Sequence, residues 1–163
     1  MVKRFADPEV HKFGGASLAD ANAVKRALAI IASRTTPSVI VVSALAGVTD
    51  TLLSLAAAAL AGKRGDPTGA ADAARVRHRA VVTAVIPTAR GRKDIMAAID
   101  GSFDELRVLM DGVASLRELT LRTNDLIVAR GERLSAMIVA AGLNALGKKA
   151  QYVDATDIIV TDG

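Results

Sequence analysis

The stretch that decides the fold is Val10-His-Lys-Phe-Gly-Gly-Ala-Ser17, close to the N-terminus. Val10 and Phe13 predict a short apolar strand, and the two glycines predict a tight turn from that strand into a helix, where a side chain would clash. Such a corner points several backbone N–H groups and the positive end of a helix dipole at one spot. The arrangement suits an anion such as phosphate.

Lys12 adds a full positive charge to this corner. The loop is not a Walker motif, because no Gly-Lys-Ser/Thr follows the glycines, and it is not Gly-x-Gly-x-x-Gly. A lysine at the strand end can lean over the loop and meet a transferred phosphoryl group as a point charge. On the residues alone two interpretations stay open: a phosphate loop, or an ordinary turn beside a lysine that reaches solvent.

The composition bounds the class of protein. The 163 residues are enough for one domain with a real core, and 51% apolar against 2% aromatic residues favours helices packed on a sheet. The absence of cysteine excludes disulfides, thiolate metal sites and cysteine nucleophiles, and fits a reducing compartment. Without an apolar run of membrane-spanning length or a signal-peptide core, the sequence predicts a soluble, cytoplasmic protein.

The charge distribution argues against nucleic acid as a partner. The net charge is +4, but Asp and Glu are interleaved with the basic residues, and few aromatic side chains could stack on bases. The densest basic cluster predicts a solvated helix face with an exposed histidine. Its members are Arg75, Arg77, His78 and Arg79.

A strand–helix–strand unit follows the glycine loop. Asp20 or Asn22 can cap a helix that ends near Arg34 and has a periodic apolar face. The next stretch, Ser38-Val-Ile-Val-Val-Ser43, is a continuous β-branched run, which predicts a strand covered on both faces in a parallel sheet.

The second strand runs into another loop–helix corner, with a helix from about Thr49 to Ala61. In open parallel sheets, ligands bind beyond the carboxyl ends of the strands, where Ser43 and Thr49 offer hydroxyl groups. Thr49 has an alternative interpretation as a plain helix N-cap.

The middle of the chain carries no metal or catalytic cluster. Three glycines and a proline within Gly62–Gly69 predict a flexible surface loop. Two helices are expected beyond it, over residues 70–85 and about 93–112, separated by Pro87 and Gly91.

Residues 116–146 form a third helical region, interrupted at Arg130-Gly-Glu-Arg-Leu-Ser135. A glycine within a helix costs about 1 kcal/mol relative to alanine, so Gly131 suggests the close approach of a loop or ligand. Beside it, Glu132 is either a functional carboxylate or part of a weak surface ion network with Arg122, Arg130 and Arg133.

The last segment predicts a return to extended structure. Gly147 suits the position just past a helix end, and residues 149–154 predict a third strand. A turn is expected over 154–157, and residues 158–160 predict a further extended piece.

Taken together, four motifs in this order closely resemble the N-terminal part of the aspartokinases, in the amino-acid kinase family, over nearly the whole chain. They are Lys12-Phe-Gly-Gly-Ala-Ser17, Val41-Val-Ser-Ala-Leu-Ala-Gly-Val-Thr49-Asp50, Arg130-Gly-Glu-Arg-Leu-Ser135 and Tyr152-Val-Asp-Ala155.

The resemblance implies a three-layer αβα sandwich around a mostly parallel sheet, of which residues 1–163 form the N-terminal part, with no second domain. It implies transfer of the γ-phosphoryl group of ATP to the β-carboxylate of L-aspartate. ATP and Mg²⁺ are the implied cofactors, with Mg²⁺ held mainly by phosphates and by segments beyond this chain. A homo-oligomer is implied at full length, with neither nucleic acid nor membrane as a partner.

The resemblance also assigns roles to particular residues. Lys12 would stabilise the transferring phosphoryl group. The phosphate-binding set would be Lys12, Phe13, Gly14, Gly15, Ser17 and Ser43. The substrate-binding set would be Ser43, Thr49 and Glu132, with Glu132 on the amino group of aspartate and no metal ligand among these residues.

Two departures from the family pattern qualify these roles. Ala16 stands where the family's loop usually has threonine, so one hydroxyl group is missing. The family's nucleotide-binding half is expected after Gly163, so the 163-residue chain is expected to be inactive alone. The alternatives are an amino-acid kinase acting on glutamate or acetylglutamate, and a non-catalytic dimerisation module. Whether the source protein is fused to a homoserine dehydrogenase stays open.

Overall fold

The computed structural model describes residues 7–66 and 68–160. Two parallel strands, β1 (Glu9–Phe13) and β2 (Ser38–Val42), pair with Lys12 opposite Val41. Helix α1 (Ala21–Ala32) connects them, so the expected strand–helix–strand unit is confirmed. Of the two predicted caps, Asp20 is used: its Oδ1 accepts the Ala23 N–H at 2.8 Å.

The sequence pattern predicted that the glycine turn leads directly into α1, and this prediction is wrong. A single turn of 3-10 helix (Gly15–Leu18) intervenes, and α1 begins only at Ala21. Leu18 is completely buried and anchors this short turn to the core, while Asp20 sets the true start of α1. The dipole of α1 therefore does not originate at the glycines.

The sheet has one covered face and one bare face. Val42 is buried and Phe13 and Ile40 pack against the core, whereas Val10 and Val39 are 68% and 50% exposed. The expectation that β2 is covered on both faces is wrong for the described residues, because their helices pack on one face only. A β-branched run indicates strand preference, but burial depends on what packs against the strand. The α/β class with a parallel sheet is confirmed.

Five further helices build the helical layer. They are α2 (Val48–Leu60), α3 (Ala70–Val85), α4 (Ala89–Leu116), α5 (Leu121–Val128) and α6 (Arg130–Ala145). Helix α4 includes Gly91, predicted as a separator, because Thr88 Oγ1 caps the helix by accepting the Gly91 N–H at 3.1 Å. No helix in the described ranges is both long enough and apolar enough to cross a membrane.

His78 is fully buried, which corrects the prediction of an exposed helix residue. Its ring lies edge-on to Phe103, with centroids 5.7 Å apart, and Nδ1 lies 2.7 Å from the Ala74 carbonyl oxygen. That distance assigns the ring proton to Nδ1, and Nε2 has no partner in the described structure. Ala74, Val82 and Val85 continue the buried stripe of α3, and this periodicity is the signal that identifies His78 as a core residue.

The described residues of the 62–69 loop are tied to neighbouring helices. The Gly65 N–H donates to Asp111 Oδ1 at 3.2 Å, and Asp66 accepts the N–H groups of Ala70 and Ala71 at 2.9 and 2.7 Å. Burial alone would raise the pKa of Asp66, but these amides and that of Asp72 outweigh it and lower the pKa. The flexibility of this loop stays a prediction.

The predicted third strand over residues 149–154 is wrong. Gly147 ends α6 at φ +76° as expected, and the Lys148 N–H donates to the Leu143 carbonyl at 3.0 Å. Beyond it, the Asn144 side chain donates to the Ala150 carbonyl at 2.9 Å and accepts the Ala150 N–H at 3.1 Å. An asparagine amide thus satisfies the backbone that a strand would have paired.

The predicted turn after this segment is confirmed as a short 3-10 helix, Ala155–Asp157. Residues 158–160 are not in a strand, and residues 161–163 lie outside the described range.

Candidate active site

Lys12 turns back over the glycine loop. The side chain leaves the bare face of β1, and its Nζ lies 3.4 Å from the position that a Cβ atom on Gly14 would occupy. The ammonium group therefore faces the Gly14–Ser17 corner, as the phosphate-loop interpretation requires. Ser17 is exposed at the same corner, and its N–H donates to the Gly14 carbonyl at 2.9 Å.

Neither the backbone conformation nor the packing of this loop requires its two glycines. Neither Gly14 nor Gly15 has a positive φ, and a Cβ on Gly15 would lie an ordinary 3.6 Å from the Ala44 carbonyl oxygen. The expected clash with a side chain is therefore absent. Within the described chain, the N–H groups of Gly15 and Ala16 also lack acceptors. The loop thus offers two free donors with no side chain at the two glycine positions.

Ser43 joins the two strand ends. Its N–H donates to the Phe13 carbonyl at 3.0 Å, which fixes the start of the Ser43–Gly47 loop beside the glycine loop. Gly47, at φ +78°, occupies the N-cap position of α2. Thr49 is the second residue of the helix, so its interpretation as a plain N-cap is wrong.

Gly131 explains how α6 reaches this loop. A Cβ on Gly131 would lie 2.7 Å from the Ala44 Cβ and 3.2 Å from Val48 Cγ1. Only a residue without a side chain allows this approach, so the expected reason for a helical glycine is confirmed. The contact brings the first turn of α6, with Glu132, against the loop that carries Ser43 and against the start of α2, which carries Thr49.

Glu132 is not part of a surface ion network. Arg130 is buried, donates to the Ser102 carbonyl and Oγ at 2.5 and 2.8 Å, and lies 3.5 Å from Glu105. Among the described residues Glu132 has no ion-pair partner, and its Oε2 is buried without a hydrogen bond. A buried carboxylate oxygen without a donor is costly, so this atom is suited to accept a hydrogen bond from a cationic group.

Ser135 is a further polar group that the sequence interpretation left without a role. It is 1% exposed, and its Oγ has no hydrogen-bond partner in the described structure. Since Ser135 is three residues after Glu132, the two side chains lie on neighbouring positions of the α6 surface. That spacing is the signal that could have found it.

A charged cluster holds the segment after α6 beside the same helix. Arg133 Nε lies 3.0 Å from Asp154 Oδ2, and the Tyr152 hydroxyl donates to the same oxygen at 3.1 Å. A hydrogen bond from the Thr156 N–H, aided by the Arg133 charge, lowers the pKa of Asp154. Burial and the adjacent Asp154 raise the pKa of Tyr152. The Tyr152–Ala155 motif is thereby fixed against α6.

The described residues fit phosphate better than a metal ion. Lys12 and two free N–H donors suit an anion, whereas no group of three or more acidic, histidine or cysteine side chains in the described ranges could hold a cation.

The chain is similar in sequence to one known protein family and to several characterised proteins. The model of the amino acid kinase family matches residues 8–163. Aspartokinase 1, chloroplastic, of Arabidopsis thaliana is 37% identical over 157 residues, covering 94% of this chain and 26% of that protein. Lysine-sensitive aspartokinase 3 of Escherichia coli (strain K12) is 28% identical over 153 residues, covering 94% of this chain and 32% of that protein.

The fold is also similar to that of solved aspartokinase structures. The crystal structure of E. coli aspartokinase III in complex with aspartate and ADP superposes with a TM-score of 0.72 at 26% identity, covering 86% of this chain and 30% of that chain. This chain therefore spans 26% to 32% of the length of the relatives described.

Proposed function

Because the chain belongs to the amino acid kinase family, we propose that it carries the phosphoryl-acceptor side of an aspartate kinase active site. The reaction transfers the γ-phosphoryl group of ATP to the β-carboxylate of L-aspartate, giving 4-phospho-L-aspartate. The observation that carries the proposal is the buried Oε2 of Glu132, which has no hydrogen-bond partner in the described structure and follows the contact of Gly131 with the Ser43–Gly47 loop.

The acceptor needs charge compensation more than proton transfer. The β-carboxylate of aspartate is already an anion at neutral pH, so its attack on phosphorus requires no general base. Two anions must instead be held together while negative charge moves between them. Lys12, whose ammonium faces the glycine loop, is the residue to which we assign this compensation.

The glycine loop is assigned to phosphate. ATP, when bound, supplies the γ-phosphoryl group that is transferred. The N–H groups of Gly15 and Ala16 lack acceptors within the described chain, and the bare Gly14 and Gly15 let a phosphate approach the backbone closely. We also assign to phosphate binding the neighbouring residues Phe13, Ser17 and Ser43. Mg²⁺, when bound, is assigned to the phosphates of ATP, whose charge it would offset.

Glu132 is assigned to the ammonium group of the substrate, and Ser43 and Thr49 to its carboxylates. A partly desolvated carboxylate–ammonium pair is stronger than a neutral hydrogen bond. A diacid without an amino group would leave the Glu132 carboxylate unpaired, so the site should bind it more weakly than aspartate. Selectivity for an amino acid over a plain diacid follows.

The proposal also covers the domain to which the chain belongs, the oligomeric state of the whole protein and its location in the cell. Residues 1–163 are assigned to the N-terminal part of one amino-acid kinase domain, and the whole protein to a cytoplasmic homo-oligomer. The short share of each relative that the chain covers supports the first assignment. The plant relative is named as chloroplastic, so fractionation of the source cells is the test of location.

An ADP-release assay on the protein at its full encoded length tests the function. Activity should require aspartate, and neither glutamate nor acetylglutamate should replace it. Preference for either alternative substrate would contradict the proposal.

A variant then tests the assigned role of Glu132. Glu132→Gln should raise the KM for aspartate by about 10²-fold, since a charged pair is lost, and should narrow the preference for aspartate over succinate. Glu118→Gln is the matched control, because Glu118 is exposed between α4 and α5 and forms no salt bridge among the described residues. An unchanged preference for aspartate over succinate in Glu132→Gln would refute the assignment.

A further inference from the structure

One arginine connects the two loops of the candidate site from outside it. Arg77, in the middle of α3, was predicted to lie on a solvated helix face, but its guanidinium is partly buried. One terminal nitrogen donates to the Ala46 carbonyl at 2.6 Å, and the other donates to the Ala19 carbonyl. Ala19 ends the turn that follows the glycines, and Ala46 lies in the loop between β2 and α2.

The two loops already touch where this arginine spans them. A Cβ on Gly15 would lie 3.6 Å from the Ala44 carbonyl oxygen and 3.7 Å from the Ala46 Cα. In the described ranges no backbone N–H donates to the carbonyl of Ala19 or Ala46, so Arg77 supplies the hydrogen bonds that these groups need. A planar guanidinium can hold two acceptors at a fixed separation, which an ammonium group cannot do as rigidly.

We propose that Arg77 is a positioning residue, which holds the Gly14–Ala19 loop and the Ser43–Gly47 loop in register through their backbone carbonyls. The catalytic consequence rests on the proposed function, which assigns phosphate to the first loop and substrate to the second. Arg77 touches neither reactant; it sets the distance between the groups that do. A displacement of about 1 Å between reacting groups can cost about 10²-fold in rate.

The test uses Arg77→Met, Arg77→Lys and the control Arg75→Met, in the protein at its full encoded length. Arg75 lies on the same helix, but its ion pair, with Asp72, stays within α3. Arg77→Met should lower kcat by about tenfold or more with a smaller change in either KM, because the loops still bind but are misaligned. Arg77→Lys should recover part of the loss, and Arg75→Met should match the parent.

Hydrogen–deuterium exchange gives a readout that does not depend on catalysis. The amides whose hydrogen bonds hold the two loops should exchange faster in Arg77→Met than in the parent, while those of α4 should not change. These amides are those of Ser17, Ser43 and Val48, which donate to the carbonyls of Gly14, Phe13 and Leu45. Arg77→Lys serves for both measurements if Arg77→Met does not fold.

Each outcome decides the proposal. A kcat within about twofold of the parent in Arg77→Met, or unchanged exchange in both loops, overturns it. If the parent shows no aspartate-dependent ADP release, the proposed function fails and with it the catalytic role of Arg77. The exchange rates then still decide whether Arg77 clamps the loops.

Discussion

Gly131 and Ala44 approach so closely that a single methyl group would not fit between them: a Cβ on Gly131 would lie 2.7 Å from the Ala44 Cβ. Through this contact, a helix from the C-terminal half of the chain reaches a loop from the N-terminal half. Glu132 follows Gly131 directly, so the packing of one glycine sets the position of a half-buried carboxylate at the candidate site.

Gly131→Ala should destabilise the fold and displace Glu132. Overpacking at Ala44 and Val48 should cost about 1–3 kcal/mol, of which the better helix propensity of alanine returns only about 1 kcal/mol. Chemical denaturation measures the stability, and the KM for aspartate should rise because Glu132 moves.

Gly101→Ala is the matched control for that change. Gly101 lies in α4, and a Cβ there would meet nothing within 4 Å, so this variant should gain about 0.5–1 kcal/mol. If both glycine variants gained stability alike, the Gly131–Ala44 contact would not constrain the fold.

Lys12→Met should abolish most activity of the full-length protein while leaving its stability nearly unchanged. The side chain is exposed, and we assign its charge to the transferring phosphoryl group, so kcat should fall by about 10²–10³-fold. Steady-state kinetics and a thermal melt measure the two effects. Lys25→Met, at an exposed position of α1, should change neither, and near-normal turnover in Lys12→Met would remove it from the mechanism.

His78 should make the fold sensitive to mild acid. Burial, aided by the Arg77 charge, lowers the pKa of His78 below its ordinary value of 6.5, although the hydrogen bond to the Ala74 carbonyl opposes the shift. The unfolded chain therefore binds a proton at a higher pH than the folded chain. Stability should be unaffected by this group above about pH 6.5, and below it should fall by at most about 1.4 kcal/mol per pH unit.

Denaturation of His78→Leu and His11→Asn at about pH 7.5 and about pH 5.5 separates this effect from other titrations. The acid-induced loss should shrink in His78→Leu and persist in His11→Asn, since the His11 ring is partly exposed and pairs with Glu9 at 2.9 Å. Equal losses in all three proteins would show that His78 is not the source.

The 163-residue chain alone should bind ATP weakly or not at all. It spans 26% of the length of the Arabidopsis relative, and among its described residues no group of three or more acidic, histidine or cysteine side chains stands beside the loop that we assign to phosphate. Calorimetric titration with MgATP measures the affinity. Tight, saturable binding would contradict the view that the remaining nucleotide contacts lie elsewhere.

The sequence predicted local features whose causes are local. The helix over residues 70–85 and the Gly147 helix end follow from periodicity and backbone chirality, which neighbouring residues determine. The role of Gly131 as a close-approach residue was also predictable, because a glycine within a helix is otherwise unfavourable. The turn at Gly14 and Gly15 was predicted too, but the clash given as its reason is absent.

The errors arose where a side chain outside the local pattern decides the outcome. Residues 149–154 look like a strand in isolation, but Asn144 takes up the hydrogen-bonding groups of Ala150. His78 and Arg77 appear as neighbours in one basic cluster, yet α3 turns one into the core and the other toward the site loops. No short-range pattern indicates which carbonyl groups an arginine will find across the fold.

The bond pair between Asn144 and Ala150 also makes this region sensitive to chemical ageing of the sample. The Asn144 side-chain amide can donate a hydrogen bond to the Ala150 carbonyl and accept one from the Ala150 N–H at the same time. Hydrolysis to a carboxylate would turn the donor into a second acceptor and set two oxygens against each other. In a stored preparation, this change would release the Ala150 backbone from α6 without any change in the gene, while Arg133 still holds Asp154.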